Sequence, residues 1–83
     1  MHSNTSQKVR TIIAQECGFD RKVVTNRTKF MANTDLSYFV CVDALYTLQH
    51  KLHVSLPESN YEKYQTVGGL VKDIVRQLNV HKR

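Results

Sequence analysis

The stretch Ser37–His53, SYFVCVDALYTLQHKLH, decides the fold. Phe39, Val42, Leu45, Leu48 and Leu52 recur along it at steps of three and four, with Ala44 filling in beside them. That spacing predicts an amphipathic helix, helix II, with one buried stripe. Ser37 is placed to cap it, its hydroxyl accepting from a free backbone N–H of the first turn. His50 and Lys51 close it, where positive charge suits the negative end of the helix dipole. Val54 and Leu56 then continue as buried connectors.

Working outward toward the N-terminus, Phe19 to Leu36 has no sustained period. Thr25, Asn26, Thr28, Asn33 and Thr34 interrupt it, and Phe19, Val23, Val24, Phe30 and Met31 are its apolar anchors. It reads as a long loop of about 18 residues, a length that tends to be functional, laid over the helices by those anchors. A strand through Val23 and Val24 is the alternative reading, but no second run offers it a partner. Before the loop, Val9, Ile12, Ile13 and Cys17 fall on one face of a helix from about Ser6 to Cys17, helix I. Gly18 follows as its left-handed stop.

Toward the C-terminus, Pro57 can open a short helix III over Glu58–Tyr64, because its missing N–H costs nothing at a first helical position. Thr66 is read as the cap of helix IV, whose inward face is Val67, Leu70, Val71, Ile74 and Leu78. Gly68 and Gly69 in its first turn either weaken it or let another backbone approach closely. Residues 1–5 and 79–83 are expected to fray. The expectation is an all-α single domain over 1–83: a four-helix bundle with three main helices, a short helix III and a long loop between I and II.

Eighty-three residues leave room for a core of only a few side-chain layers and for no deep enclosed active site. There is no apolar run of about 18 residues, so no transmembrane helix is expected. The start, Met1 to Gln7, has no apolar signal-peptide region, which predicts a cytoplasmic protein. Cys17 and Cys41 lack Cys-x-x-Cys spacing and read as free thiols. The net charge of +5 is spread along the chain as a basic tint.

The layout and its landmarks resemble the acyl carrier protein family. The match runs without a gap from about Gln7 to Leu78. Its landmarks are Val9 with Ile12-Ile13, then Gly18, then Val24-Thr25-Asn26 and Phe30. They continue with Leu45, Leu48, Leu52, Leu56-Pro57, Glu62-Lys63 and Thr66-Val67. The resemblance implies a helical carrier domain that is no enzyme itself. It also implies a 4′-phosphopantetheine arm on the serine of an Asp-Ser-Leu motif opening helix II. In this chain that motif is matched by Ser37-Tyr38-Phe39, with Tyr38 at the attachment position and Asp35 where a glycine usually stands.

This departure bears on the implied cofactor. A tyrosine puts its oxygen several ångströms further out on a rigid ring, away from the geometry that a transferase needs. Ser37 is one residue off, and one helical step turns a side chain by about 100°. The reading is therefore a family homologue of fatty-acid or polyketide-type metabolism without the arm, acting as a protein-interaction module and carrying no cofactor. The alternative is a specialised carrier with 4′-phosphopantetheine on Ser37. Family members are acidic along helix II, whereas Asp43 is the one carboxylate here, so partner enzymes with neutral or acidic docking surfaces are expected.

The residues expected to meet partners are Tyr38, Cys41, Val42 and Leu45. Tyr38 is either an interface anchor, as tyrosines often are, or a ring folded onto Met31 or Val42. Cys41 has no neighbouring base and reads as a semi-buried thiol rather than a nucleophile. His50 and His53, with His81, lack a carboxylate at matching spacing, so no metal site is read. Tyr61 and Tyr64 read as a packing pair between helices III and IV. Arg21, Lys22, Arg27 and Lys29 could contact phosphates, which leaves a basic nucleic-acid or anionic-membrane module as a weaker reading, with no recognition helix or stacking aromatics to support nucleic acid.

Overall fold

In the computed structural model the backbone is described for residues 2–81 and side chains for 4–79. Three α-helices account for most of it: α1 (His2–Cys17), α2 (Tyr38–Leu52) and α3 (Val67–His81). Two 3₁₀ segments lie between them, η1 (Arg21–Val23) in the first connection and η2 (Glu58–Tyr64) in the second. Among the described residues there is no strand; Lys29 and Thr66 form an isolated antiparallel bridge. The all-helical class read from the sequence therefore holds. No helix among the described residues is long and apolar enough to cross a membrane.

The ends of the helices differ from the sequence reading in instructive ways. α1 begins at His2 rather than near Ser6, within the segment expected to fray. Its first turns are polar in sequence, so hydrophobic period gives no sign of them, and no proline or glycine stops the helix growing back. Residues 79–81 likewise belong to α3, while Met1 and residues 82 and 83 lie outside the described residues. The stop at Gly18 is as expected, with φ at 74°. α2 instead closes on His53 in the left-handed region, φ 55° and ψ 47°.

One contiguous core joins the three α-helices and η2, with Val24 and Phe30 added from the first connection. Val9, Ile13, Phe30, Leu45, Leu48, Leu56, Tyr64, Val67, Leu70 and Ile74 are all fully or almost fully buried in it. α1 packs on both α2 and α3, and its polar Asn4 and Lys8 line a surface dip with Lys51 and Leu52. The start of α1 thus lies beside the end of α2, and the two helices run antiparallel. The radius of gyration is 11.7 Å, against about 11.8 Å expected for a compact chain of this length.

The long first connection is tied down by backbone hydrogen bonds to the start of α3. Val67 N donates to Thr28 O and Gly68 N to Asn26 O, each at 2.8 Å. Phe30 N and Met31 N donate to Gln65 O and Tyr64 O. Thr66 caps as the sequence predicts, its Oγ1 accepting from Gly69 N at 3.2 Å. The opening N–H groups of α3, usually orphaned, are thereby satisfied. Of the two readings of Gly68, close approach is the correct one: a Cβ there would sit 2.8 Å from Asn26 O. The strand alternative fails, since Val23 is exposed in η1 and only Val24 is buried.

Candidate functional site

The start of α2 is where the sequence reading looked for function, and its geometry follows from the cap. Ser37 is exposed and extended, and its Oγ accepts from Val40 N at 3.1 Å. That anchors the first turn and swings the next two side chains outward. Tyr38 is 52 % exposed and Phe39 77 % exposed, with ring centroids 6.1 Å apart in an edge-to-face arrangement. Tyr38 also meets Tyr61 of η2 edge-on at 6.4 Å. Its ring leans on neighbouring aromatics.

The face of α2 needs a correction. Phe39 does not enter the core; the buried positions are Cys41, Ala44, Leu45 and Leu48. Cys41 and Leu45 consequently cannot present surface to a partner: Cys41 is buried with its Sγ directed to Phe30 O at 3.6 Å, and Leu45 is wholly enclosed. Val42 is half-buried at the margin. Tyr46, absent from the expected contact set, is 60 % exposed two turns after Phe39. The seven-residue step from Phe39 to Tyr46 was the signal for a shared outer face.

The exposed rings of α2 are thus Tyr38, Phe39 and Tyr46, and half-buried Tyr61 of η2 lies edge-on to the first of them. Burial first, then Tyr38, Tyr46 and Glu58, push the Tyr61 hydroxyl above its ordinary pKa. These large rings leave an exposed aromatic face on α2. Tyr61 also continues inward to Tyr64, centroid to centroid 6.3 Å, so the packing pair read from the sequence is present.

Tyr64 leads to a feature that the sequence reading missed. Its Oη donates to Asp73 Oδ2 at 2.5 Å, and Asp73, on the inward side of α3, is almost wholly buried. Arg76 Nη2 donates to the other carboxylate oxygen at 2.6 Å. Burial pushes the Asp73 carboxyl up, but the Tyr64 hydroxyl and the Arg76 guanidinium outweigh it and hold the group below the usual carboxylate range. Burial and the same hydrogen bond push the Tyr64 phenol well above its ordinary value. Asp73 lies one residue from Ile74 in the predicted apolar stripe, and nothing in the linear pattern separates it from a surface aspartate.

Neither thiol is prepared for nucleophilic chemistry. Burial first, then Cys41 and Glu16, push Cys17 up to about 11, and burial raises Cys41 as well. The thiolate is the reactive form, and burial disfavours it at both sites. Among the described residues, no three His, Cys, Asp or Glu side chains gather where a metal could bind. The His81 side chain lies outside them.

Two basic dips complete the surface. One, of about 400 Å³, is lined by Lys63, Lys72 and Arg76 around Gly69 and Asp73. The other, of about 670 Å³, brings Arg10 of α1 to Arg21, Lys22 and Arg27 of the first connection. Lys29, grouped with these loop cations in the sequence, is not in its lining. No family model matches this chain.

Proposed function

We propose that this chain is an acyl carrier protein homologue without a prosthetic arm, serving as a protein-interaction module through the aromatic surface that opens α2. The observation that carries the reading is the exposure of Tyr38, Phe39 and Tyr46 on α2, with Tyr61 edge-on to Tyr38, at the place where the family's motif would bear its arm. The fold is helical, with a long ordered first connection and a short helical segment before α3, which fits the family's layout. Tyr38 offers a phenol in place of a primary alcohol, and Ser37 Oγ is engaged as the helix cap. Neither residue fits a phosphopantetheine site set for in-line attack.

The chain on this reading presents surface and catalyses nothing. Its partners are enzymes of fatty-acid or polyketide-type synthesis whose docking faces are neutral or acidic. Tyrosine and phenylalanine supply large contact area at low entropic cost, and rings of this kind anchor interfaces. Asp43 is the single acidic side chain of α2, so a basic enzyme surface gains little from approaching it.

The test is co-expression with a broad-specificity phosphopantetheinyl transferase, followed by intact mass measurement. The wild-type chain should gain no mass, and Tyr38→Ser should gain one phosphopantetheine group. A gain in the wild type that Ser37→Ala abolishes would establish the specialised carrier instead. No gain in Tyr38→Ser would remove the support that the family register gives.

A further inference from the structure

We propose that the concavity between α1 and the first connection binds a compact polyphosphate group, held by Arg10, Arg21, Lys22 and Arg27. Four cations line it and no carboxylate does. Among the described residues the one ion pair is Arg76 with Asp73, so none of these four charges is neutralised by a carboxylate within 4.0 Å. The nearest acidic residue in sequence, Asp20, lies outside the lining, its Oδ1 accepting from Lys22 N at 2.9 Å. A cluster of like charges is unfavourable to assemble, and an anion that joins it relieves the repulsion.

The two inner arginines are also held in place by neutral acceptors. Arg21 Nε donates to Thr11 Oγ1 at 3.0 Å and its Nη1 to Val24 O at 3.3 Å. Arg10 Nη1 donates to Asn26 Oδ1 at 2.9 Å. These contacts fix orientation without reducing charge. A guanidinium carries five N–H donors, so Arg21 and Arg10 keep donors for a ligand. Lys22 and Arg27 are exposed and complete the rim. Three arginines to one lysine suits oxygen-rich anions, since the planar fork meets two phosphate oxygens at once.

The lining also says what the site does not read. Beyond the cations it consists of Val24, Thr25 and Asn26, with no aromatic ring on which a base could stack. The dip is open, and a ligand held there is recognised through its phosphates. Phosphates of a soluble polyphosphate and of a phosphorylated lipid headgroup are therefore equivalent to this site, and what distinguishes them is the carrier.

The test is calorimetric titration of the full chain at low ionic strength with sodium tripolyphosphate, ATP and GTP, and with phosphatidylcholine vesicles containing or lacking a bisphosphorylated inositol lipid. Saturable binding is expected that weakens with added salt, as screening requires. ATP, GTP and tripolyphosphate should agree within a few-fold. Lys22→Gln/Arg27→Gln, which touches no side-chain hydrogen bond of the fold, should weaken binding by about tenfold or more. Lys63→Gln/Lys72→Gln removes the same charge at the other basic dip and should leave binding unchanged. Binding to soluble polyphosphate, or to phosphorylated vesicles alone, supports the site and tells its source. Absence of saturable binding to any probe, equal loss in both double variants, or a strong preference for one base would overturn it. So would duplex DNA binding far more tightly than tripolyphosphate, which would indicate an extended backbone-tracking surface.

Discussion

At the scale of single residues, the most informative group is the buried Asp73 with its two donors. Asp73 is kept ionised inside the fold because Tyr64 and Arg76 each donate to one of its oxygens. Arg76 is 65 % exposed, so solvent screens its share and the tyrosine is the more consequential partner. Tyr64→Phe leaves one carboxylate oxygen buried without a donor, at a cost of about 1–3 kcal/mol in unfolding free energy. The pH dependence has a definite sign. The folded pKa lies below that of the unfolded chain, so the stabilisation is present above about pH 4 and is lost as pH falls through the depressed value. Urea unfolding followed between pH 2 and 6 should show the wild type losing stability with acid more steeply than Tyr64→Phe. Equal slopes in the two proteins would mean that the hydroxyl does not hold the carboxylate ionised.

At the scale of elements, α2 and the start of α3 teach different lessons about what a linear pattern reveals. Ser37 as cap, Gly18 as stop and the inward face Val67–Ile74 were legible because each is a local signal acting within one or two turns. The stripe assigned to α2 was legible only in part: Ala44, Leu45 and Leu48 are buried as read, and Phe39 is not. Steps of three residues turn about 300° each, so a run of them drifts backward round the helix. Phe39 and Leu48 are nine residues apart, about 900°, and therefore point to opposite sides. The true inner face, Cys41, Ala44, Leu45 and Leu48, mixes three- and four-residue steps as the helical period demands. At α3 the deciding contact is long-range: Asn26 of the first connection lies against Gly68. Gly68→Ala gains up to about 1 kcal/mol of helix propensity in isolation. The added methyl nevertheless meets a backbone carbonyl that is itself hydrogen-bonded to the Gly68 N–H, and overpacking of that kind costs about 1–3 kcal/mol. Thermal unfolding should show Gly68→Ala destabilised, with hydrogen exchange accelerating first at the Val67 and Gly68 amides. A stabilised variant would mean that the first connection is not bound to α3 in this way.

At the scale of the molecule, the chain displays two surfaces built from residues that the sequence scatters. The net charge of +5 reads along the chain as a uniform tint, yet the fold brings Arg10 of α1 to cations more than ten residues later. The aromatic surface likewise needs Tyr61, from beyond the end of α2, to support Tyr38. Neither grouping could be completed from local spacing, because each needs a residue of another element: Arg10 of α1 in one and Tyr61 of η2 in the other. The two sets share no residue, and the aromatic rings are largely outside the core, so they should be separable from stability and from each other. Phe39→Ala/Tyr46→Ala removes the two most exposed rings of α2. Substitutions at such positions usually change stability by no more than about 0.5 kcal/mol each, whereas truncating an enclosed leucine such as Leu48 costs about 2–5 kcal/mol. Chemical unfolding of Phe39→Ala/Tyr46→Ala and of Leu48→Ala, side by side, measures that difference directly. Tripolyphosphate titration of the ring variant should match the wild type, since no lining residue of the basic concavity is altered. A large loss of stability in the ring variant would place Phe39 in the core and overturn the outer face of α2, and with it the surface on which the proposed function rests.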